Sequence, residues 1–228
     1  AGRHAARAAV MPVASRRTLL ALVLAALTGP ALAASQCLPV VGPGWPPAVG
    51  NYGQAVETLF HGKAQPRLAM TLLPKGGVET AVALLPGTRD GEWTLRYSQA
   101  DKRVYNWNNS ARGSGVELRV DQEPDQYQVA IAAALAQRLV RSWRTALDSG
   151  VPADRKAPIT EGEVLSFQVD GERYSGPRWE CGAGRLMMKQ VALLIEASDT
   201  KEKKLDRRWQ DLDESLDELQ ELLGGKAG

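Results

Sequence analysis

The amino-acid sequence predicts an α+β domain: an antiparallel β-sheet meander with helices packed on one face and a C-terminal amphipathic, heptad-like helix. Three observations carry that prediction. Between residues 67 and 121 apolar and polar side chains alternate, and turns at 74–77 (PKGG) and 86–91 (PGTRDG) interrupt the alternation. From residue 125, and again after Gly184, the apolar period lengthens to that of a helix. From Leu205 the apolar residues recur at spacings of 4, 3, 4, 3 and 4, which only a helix can align.

The first 33 residues stand apart from this fold. Residues 1–10 precede the first methionine, Met11. Behind it come Arg16 and Arg17, an apolar run over 19–27, Pro30, and the small-x-small step Ala31-Leu32-Ala33. Such a run falls well short of the roughly 20 residues a spanning helix needs. The order of charge, apolar run and small residues reads as a secretory signal peptide cleaved after Ala33. Residues 15–20 (SRRTLL) partly match a bacterial twin-arginine signal. Gln36 before Cys37 is not the small residue that lipid attachment requires. The expectation is a periplasmic or secreted protein with no membrane span after cleavage.

Removing the leader changes the charge balance. The chain holds 28 Lys+Arg and 26 Asp+Glu, but four arginines and no acids lie in residues 1–33. Residues 34–228 therefore carry 24 basic and 26 acidic side chains, without the basic footprint that nucleic acid requires. The two cysteines, Cys37 and Cys181, have only each other as partners in an oxidising compartment, so a disulfide is expected.

In order, residues 34–50 form a Pro/Gly-rich strap expected to carry no regular element. A single domain is expected over 51–200 and a separate amphipathic helix over 201–228. Asn51 reads as the cap of a short helix that Gly62 stops. Strands follow around Leu68–Leu72, Thr80–Leu85, Trp93–Tyr97, Val104–Trp107 and Val116–Val120, with residues 108–115 as a polar loop. Asp125 then reads as the cap of a long helix whose stripe is Ile131, Leu135, Leu139, Trp143 and Ala146. Leu165, Phe167 and Val169 begin a hairpin, and Asp170-Gly171 fits a two-residue type I′ turn. After Gly184 a helix presents Leu186, Val191, Leu194 and Ile195.

The last helix has a seam of Leu205, Trp209, Leu212, Leu216, Leu219 and Leu223. Its bases come first and its acids last, against the helix dipole. Antiparallel pairing would reconcile that order, either with a partner or second copy or by docking on its own domain. The seam is accordingly a candidate interaction surface and a possible route to self-association.

Catalytic signatures are missing: the sequence has no G-x-S-x-G, Walker A, H-E-x-x-H or C-x-x-C. His61 is the only histidine after the leader, and at the end of a short helix it reads as a dipole partner. No metal set and no cofactor motif is found. The glycines of residues 181–185 (CGAGR) read as a tight turn, with a weaker reading as an anion site. The remaining lead is aromatic: Tyr105, Asn106, Trp107, Asn108 and Asn109 combine flat rings with amides, as sugar- and peptide-binding surfaces do. The sequence thus points to an exported, non-enzymatic binding or protein-interaction domain with a protein or glycan partner in the cell envelope. The alternative is a carboxylate-based hydrolase of envelope polymers, drawing on Asp121, Glu123, Asp125, Glu161 and Glu163.

Overall fold

Residues 40–89, 91–110, 113–151, 154, 156–158 and 162–225 are described by the structure, a computed structural model. The leader, its cleavage site, Cys37 and Glu161 lie outside the described residues.

In chain order the elements are β1 (Gly42–Pro43), α1 (Gly50–His61), β2 (Leu68–Leu73), β3 (Thr80–Pro86), β4 (Trp93–Gln99), β5 (Tyr105–Ser110), β6 (Gly113–Leu118) and β7 (Asp125–Ala130). They continue with α2 (Ala133–Gly150), β8 (Val164–Val169), β9 (Glu172–Gly176), α3 (Gly182–Ser198) and α4 (Glu202–Gly224). The class is α+β. A seven-stranded antiparallel sheet runs β1-β9-β8-β2-β3-β4-β7, and β5–β6 form a separate hairpin.

Strands β2, β3 and β4 are the expected meander, with Met70 opposite Val82 and Val82 opposite Tyr97. The β8–β9 hairpin turns at Asp170 and Gly171, whose φ values of 50° and 87° are those of the predicted type I′ turn. Three local expectations are corrected. The fourth and fifth strands of the supposed meander leave the sheet and pair with each other, because the stretch between Asn108 and Gly115 has no apolar face to bury. Residues 125–130 are an edge strand on β4 instead of the start of a helix. Tyr127 and Val129 alternate there and complete a sheet face, which overrides local helix propensity. Within the strap, Gly42 and Pro43 pair with Ser175 and Tyr174 and close the opposite edge. Asn51 lies inside α1 and is not its cap.

Register sorts the sheet into two faces. Phe167 meets the Trp143 ring of α2 edge-on at 5.6 Å, so Phe167, Met70, Val82 and Tyr97 face α2 and α3. Thr71 and Ser166 point the other way, where Glu57 of α1 and Arg173 reach them. Helix α1 therefore covers the second face with Tyr52, Val56 and Phe60, against Leu73, Ala81 and Val164.

Helix α4 folds back antiparallel on α3 and also meets α2. Leu212, Leu216 and Leu219 are fully buried. Antiparallel docking answers the charge order of α4: Arg208 near its start pairs with Glu196, and Glu218 near its end pairs with Lys189 at 2.8 Å. Arg138 of α2 holds both Asp213 and Asp217. A polar chain ties the three helices inside: the Trp143 indole N–H donates to Gln190 at 2.6 Å, and the Gln190 amide donates to the Ser215 carbonyl at 3.0 Å. Among the described residues no helix is long and apolar enough to cross a membrane.

Candidate functional site

The aromatic and amide stretch predicted as a binding surface lies on the β5–β6 arm, and the structure divides it. Trp107 pairs across the arm with Val116, and both are exposed, at 57% and 47%. The indole N–H donates to Asn109 Oδ1 at 3.1 Å, two residues along the same strand face, which fixes the ring's orientation. Asn106 donates to Glu117 of β6 at 3.3 Å on the other face. Asn108 is exposed. Tyr105 does not join this surface. Its ring packs against the α1 cluster, 5.1 Å from Tyr52, with the Arg103 guanidinium 5.7 Å from its centre.

The root of the arm is a buried carboxylate. Glu79 accepts the backbone N–H of Val104 at 2.8 Å, the N–H of Tyr105 at 3.2 Å, and the hydroxyl of Tyr52. Burial, and then the hydrogen bond to Glu79, raise the Tyr52 pKa, so this hydroxyl keeps its proton. The sequence offered no sign of this anchor, since Glu79 stands in a turn (GGVET) where acids are usually solvated.

The seam of α4 is used within the chain. The sequence reading offered Leu205, Trp209, Leu212, Leu216, Leu219 and Leu223 to a partner, but the middle of the seam is sealed inside its own helical layer. Trp209 is half-buried and lines a groove of about 370 Å³ with Ala132, Leu135, Arg138 and Asp213. Leu205 and Leu223 are also half-buried.

The sheet face beneath α1 is polar. Glu57 holds Arg173 through both carboxylate oxygens, and the Arg173 guanidinium also donates to Ser166 Oγ at 2.7 Å and lies 4.4 Å from the Trp45 ring centre. His61 ends α1 and is buried. Burial, together with the charges of Arg96 and Arg173, pushes its pKa down to about 4. A neutral imidazole carries no charge to offer a helix end, so the dipole role read from sequence is corrected.

Two carboxylates do share a pocket, though not those the sequence suggested. Asp148 and Glu172 both line one with Tyr174, whose hydroxyl donates to them at 2.9 and 3.3 Å. Arg144 bridges them at 2.7 and 2.8 Å. This network cross-links α2 to the β8–β9 hairpin. Asp121, Glu123 and Asp125 are exposed, and Glu163 pairs with Arg178 at 2.9 Å. No group of His, Cys, Asp and Glu suited to a metal ion occurs among the described residues.

Cys181 precedes α3 and is not a free thiol. The glycines behind it have local reasons. Gly182 has φ of 50°, and a Cβ on Gly184 would lie 2.1 Å from the Trp179 ring. Close approach of that tryptophan explains Gly184 without an anion.

Together these features define an α+β domain with an exposed aromatic arm and a polar pocket beneath its first helix. No family model, curated protein or solved structure matches the chain.

Proposed function

We propose that the protein is an exported, non-enzymatic binding domain of the cell envelope, and that the β5–β6 arm is its ligand-contact surface. One observation carries the reading: Trp107 stands more than half exposed while its indole is held by Asn109. An exposed, orientation-fixed aromatic ring loses little entropy on stacking, and Asn106, Asn108 and Asn109 supply amides around it. A pyranose ring, apolar on one face and rimmed with hydroxyls, is the ligand this surface suits. The leader pattern supports export, and the pairing of β1 with β9 brings the strap beside the strand that leads toward Cys181. A Cys37–Cys181 disulfide belongs to the same reading.

Calorimetric titration with soluble fragments of envelope polysaccharide tests it. Trp107→Ala is expected to weaken binding at least tenfold and Asn109→Ala several-fold, with thermal unfolding unchanged because neither side chain is core. Equal binding by wild type and Trp107→Ala would remove the arm from the function. Failure of every fragment to bind would remove the glycan. Peptide mapping without reductant, on protein recovered from the periplasm, reads the mature N-terminus at Ala34 and the Cys37–Cys181 link together.

A further inference from the structure

His61 has no partner for either ring nitrogen, and both nitrogens are sealed from solvent. The side chain is 8% exposed and lines a pocket of about 360 Å³, walled by Glu57, Thr58, Gln65, Gln168 and Arg173. An imidazole with one donor and one acceptor, both unused, is unusual in a protein interior, where buried polar atoms are paired.

Register explains how the pocket is charged. One row crosses the sheet on the α1 face: Arg173 on β9, Gln168 on β8, Ala69 on β2, Ala83 on β3, Arg96 on β4 and Gln128 on β7. Two alanines occupy its centre and an arginine stands on each side of them. The charges of both arginines act on His61, so the ring lies between them. Arg173 is matched by Glu57. Arg96 has no acidic partner among the described residues, and its Nε is buried without a hydrogen bond. Two cations and one anion leave a single positive charge, in the form of a free guanidinium beside a free imidazole.

We propose that this pocket binds a small carboxylate ligand, held by Arg96 and the His61 ring N–H, with Gln65 and Gln168 receiving its polar remainder. A carboxylate matches the single uncompensated charge and the planar fork of a guanidinium. A phosphate dianion would bring a second charge toward Glu57. The site is separate from the Trp107 arm and does not depend on the glycan reading.

The test observes the histidine itself. The chain has only His4 and His61, so ring nitrogen correlations by NMR are readily assigned with His61→Gln. The probes are acetate, alanyl-alanine, its C-terminal amide, and inorganic phosphate. Acetate or alanyl-alanine is expected to shift the His61 ring signals saturably and to raise its pKa by at least one unit, since a bound anion favours the imidazolium. The charged groups facing the ring are otherwise constant: Arg96 on β4, Arg173 on β9 and Glu57 on α1. Similar saturation by acetate and the dipeptide identifies a free organic acid as the ligand type. Saturation by the dipeptide at tenfold lower concentration identifies a peptide carboxyl terminus. Arg96→Gln should abolish the shift, and Gln168→Leu, which keeps every charge, should weaken it several-fold. Loss of the proposal follows from no saturable shift with either carboxylate, an equal shift with the amide, tighter binding of phosphate, or an undiminished shift in folded Arg96→Gln or Gln168→Leu. Those results would leave His61 a water-filled corner of the core.

Discussion

His61 shows how one residue links burial to pH. Its folded-state pKa is pushed down to about 4 from the ordinary 6.5, first by burial and then by Arg96 and Arg173. As pH falls the unfolded chain takes up this proton before the folded one does. The neutral ring's contribution is therefore fully present above about pH 6.5 and is lost as pH falls from there to about 4. Integrated over that window it amounts to at most about 3 kcal/mol. Denaturant unfolding at several pH values, compared between wild type and His61→Gln, isolates it. The wild type should lose stability more steeply between pH 6.5 and 4, and the two proteins should run parallel above pH 7. Parallel curves throughout would show that the ring is solvated and not held between two arginines. Sequence could not reveal this. Arg96 and Arg173 are 35 and 112 residues from His61, and only the sheet register brings them to one row.

At the scale of elements, the β5–β6 arm depends on its anchor more than on its own pairing. An isolated two-stranded hairpin is marginal in water, and β6 is exposed along most of its length. What holds the arm is Glu79, fully buried and accepting three hydrogen bonds from Tyr52, Val104 and Tyr105. Glu79→Gln replaces one acceptor oxygen with a donor that faces other donors. The expected cost is about 2 kcal/mol, the scale of a lost hydrogen bond to a buried charge. Amide hydrogen exchange should quicken at 104–118 while β2 and β3 stay protected. Unchanged protection at 104–118 would mean that strand pairing alone orders the arm. Elements with clean patterning were legible in the sequence: β2, β3, β4, the type I′ turn and α3 fall where alternation and period put them. Residues 125–130 were not, because QYQVAIA satisfies both a strand and the start of an alanine-rich helix, and pairing with β4 decides between them. The arm was half legible. Its aromatic-amide composition marked a surface, but Tyr105 turned inward because Tyr52 and Arg103 meet it there.

Over the whole molecule, α4 is the element whose role the structure changes most. From sequence its seam read as a surface that could be removed to leave a folded domain. In the structure it is a wall of that domain. Residues 38–228 form one unit, and α4 closes the groove between α2 and α3 with Leu212, Leu216 and Leu219. Each buried leucine contributes about 1.5–3 kcal/mol, so three approach the whole stability of a typical domain, about 5–15 kcal/mol. Removal also strands polar groups: the Gln190 amide loses the Ser215 carbonyl, and Arg138 loses Asp213 and Asp217. A chain ending at residue 200 is therefore expected to lose cooperative thermal unfolding and to bind a hydrophobic dye. A shifted but still sharp transition is expected for Leu216→Ala, at a cost of about 2–5 kcal/mol. Charge adds a second reading of the same contact. Reversing Lys189 to Glu should weaken α4 docking modestly, because its partner Glu218 is half exposed and such pairs are worth about 1 kcal/mol or less. If the truncated chain instead unfolds cooperatively near the wild-type temperature, the leucine seam is dispensable to the fold, and its availability to a partner becomes a live question again.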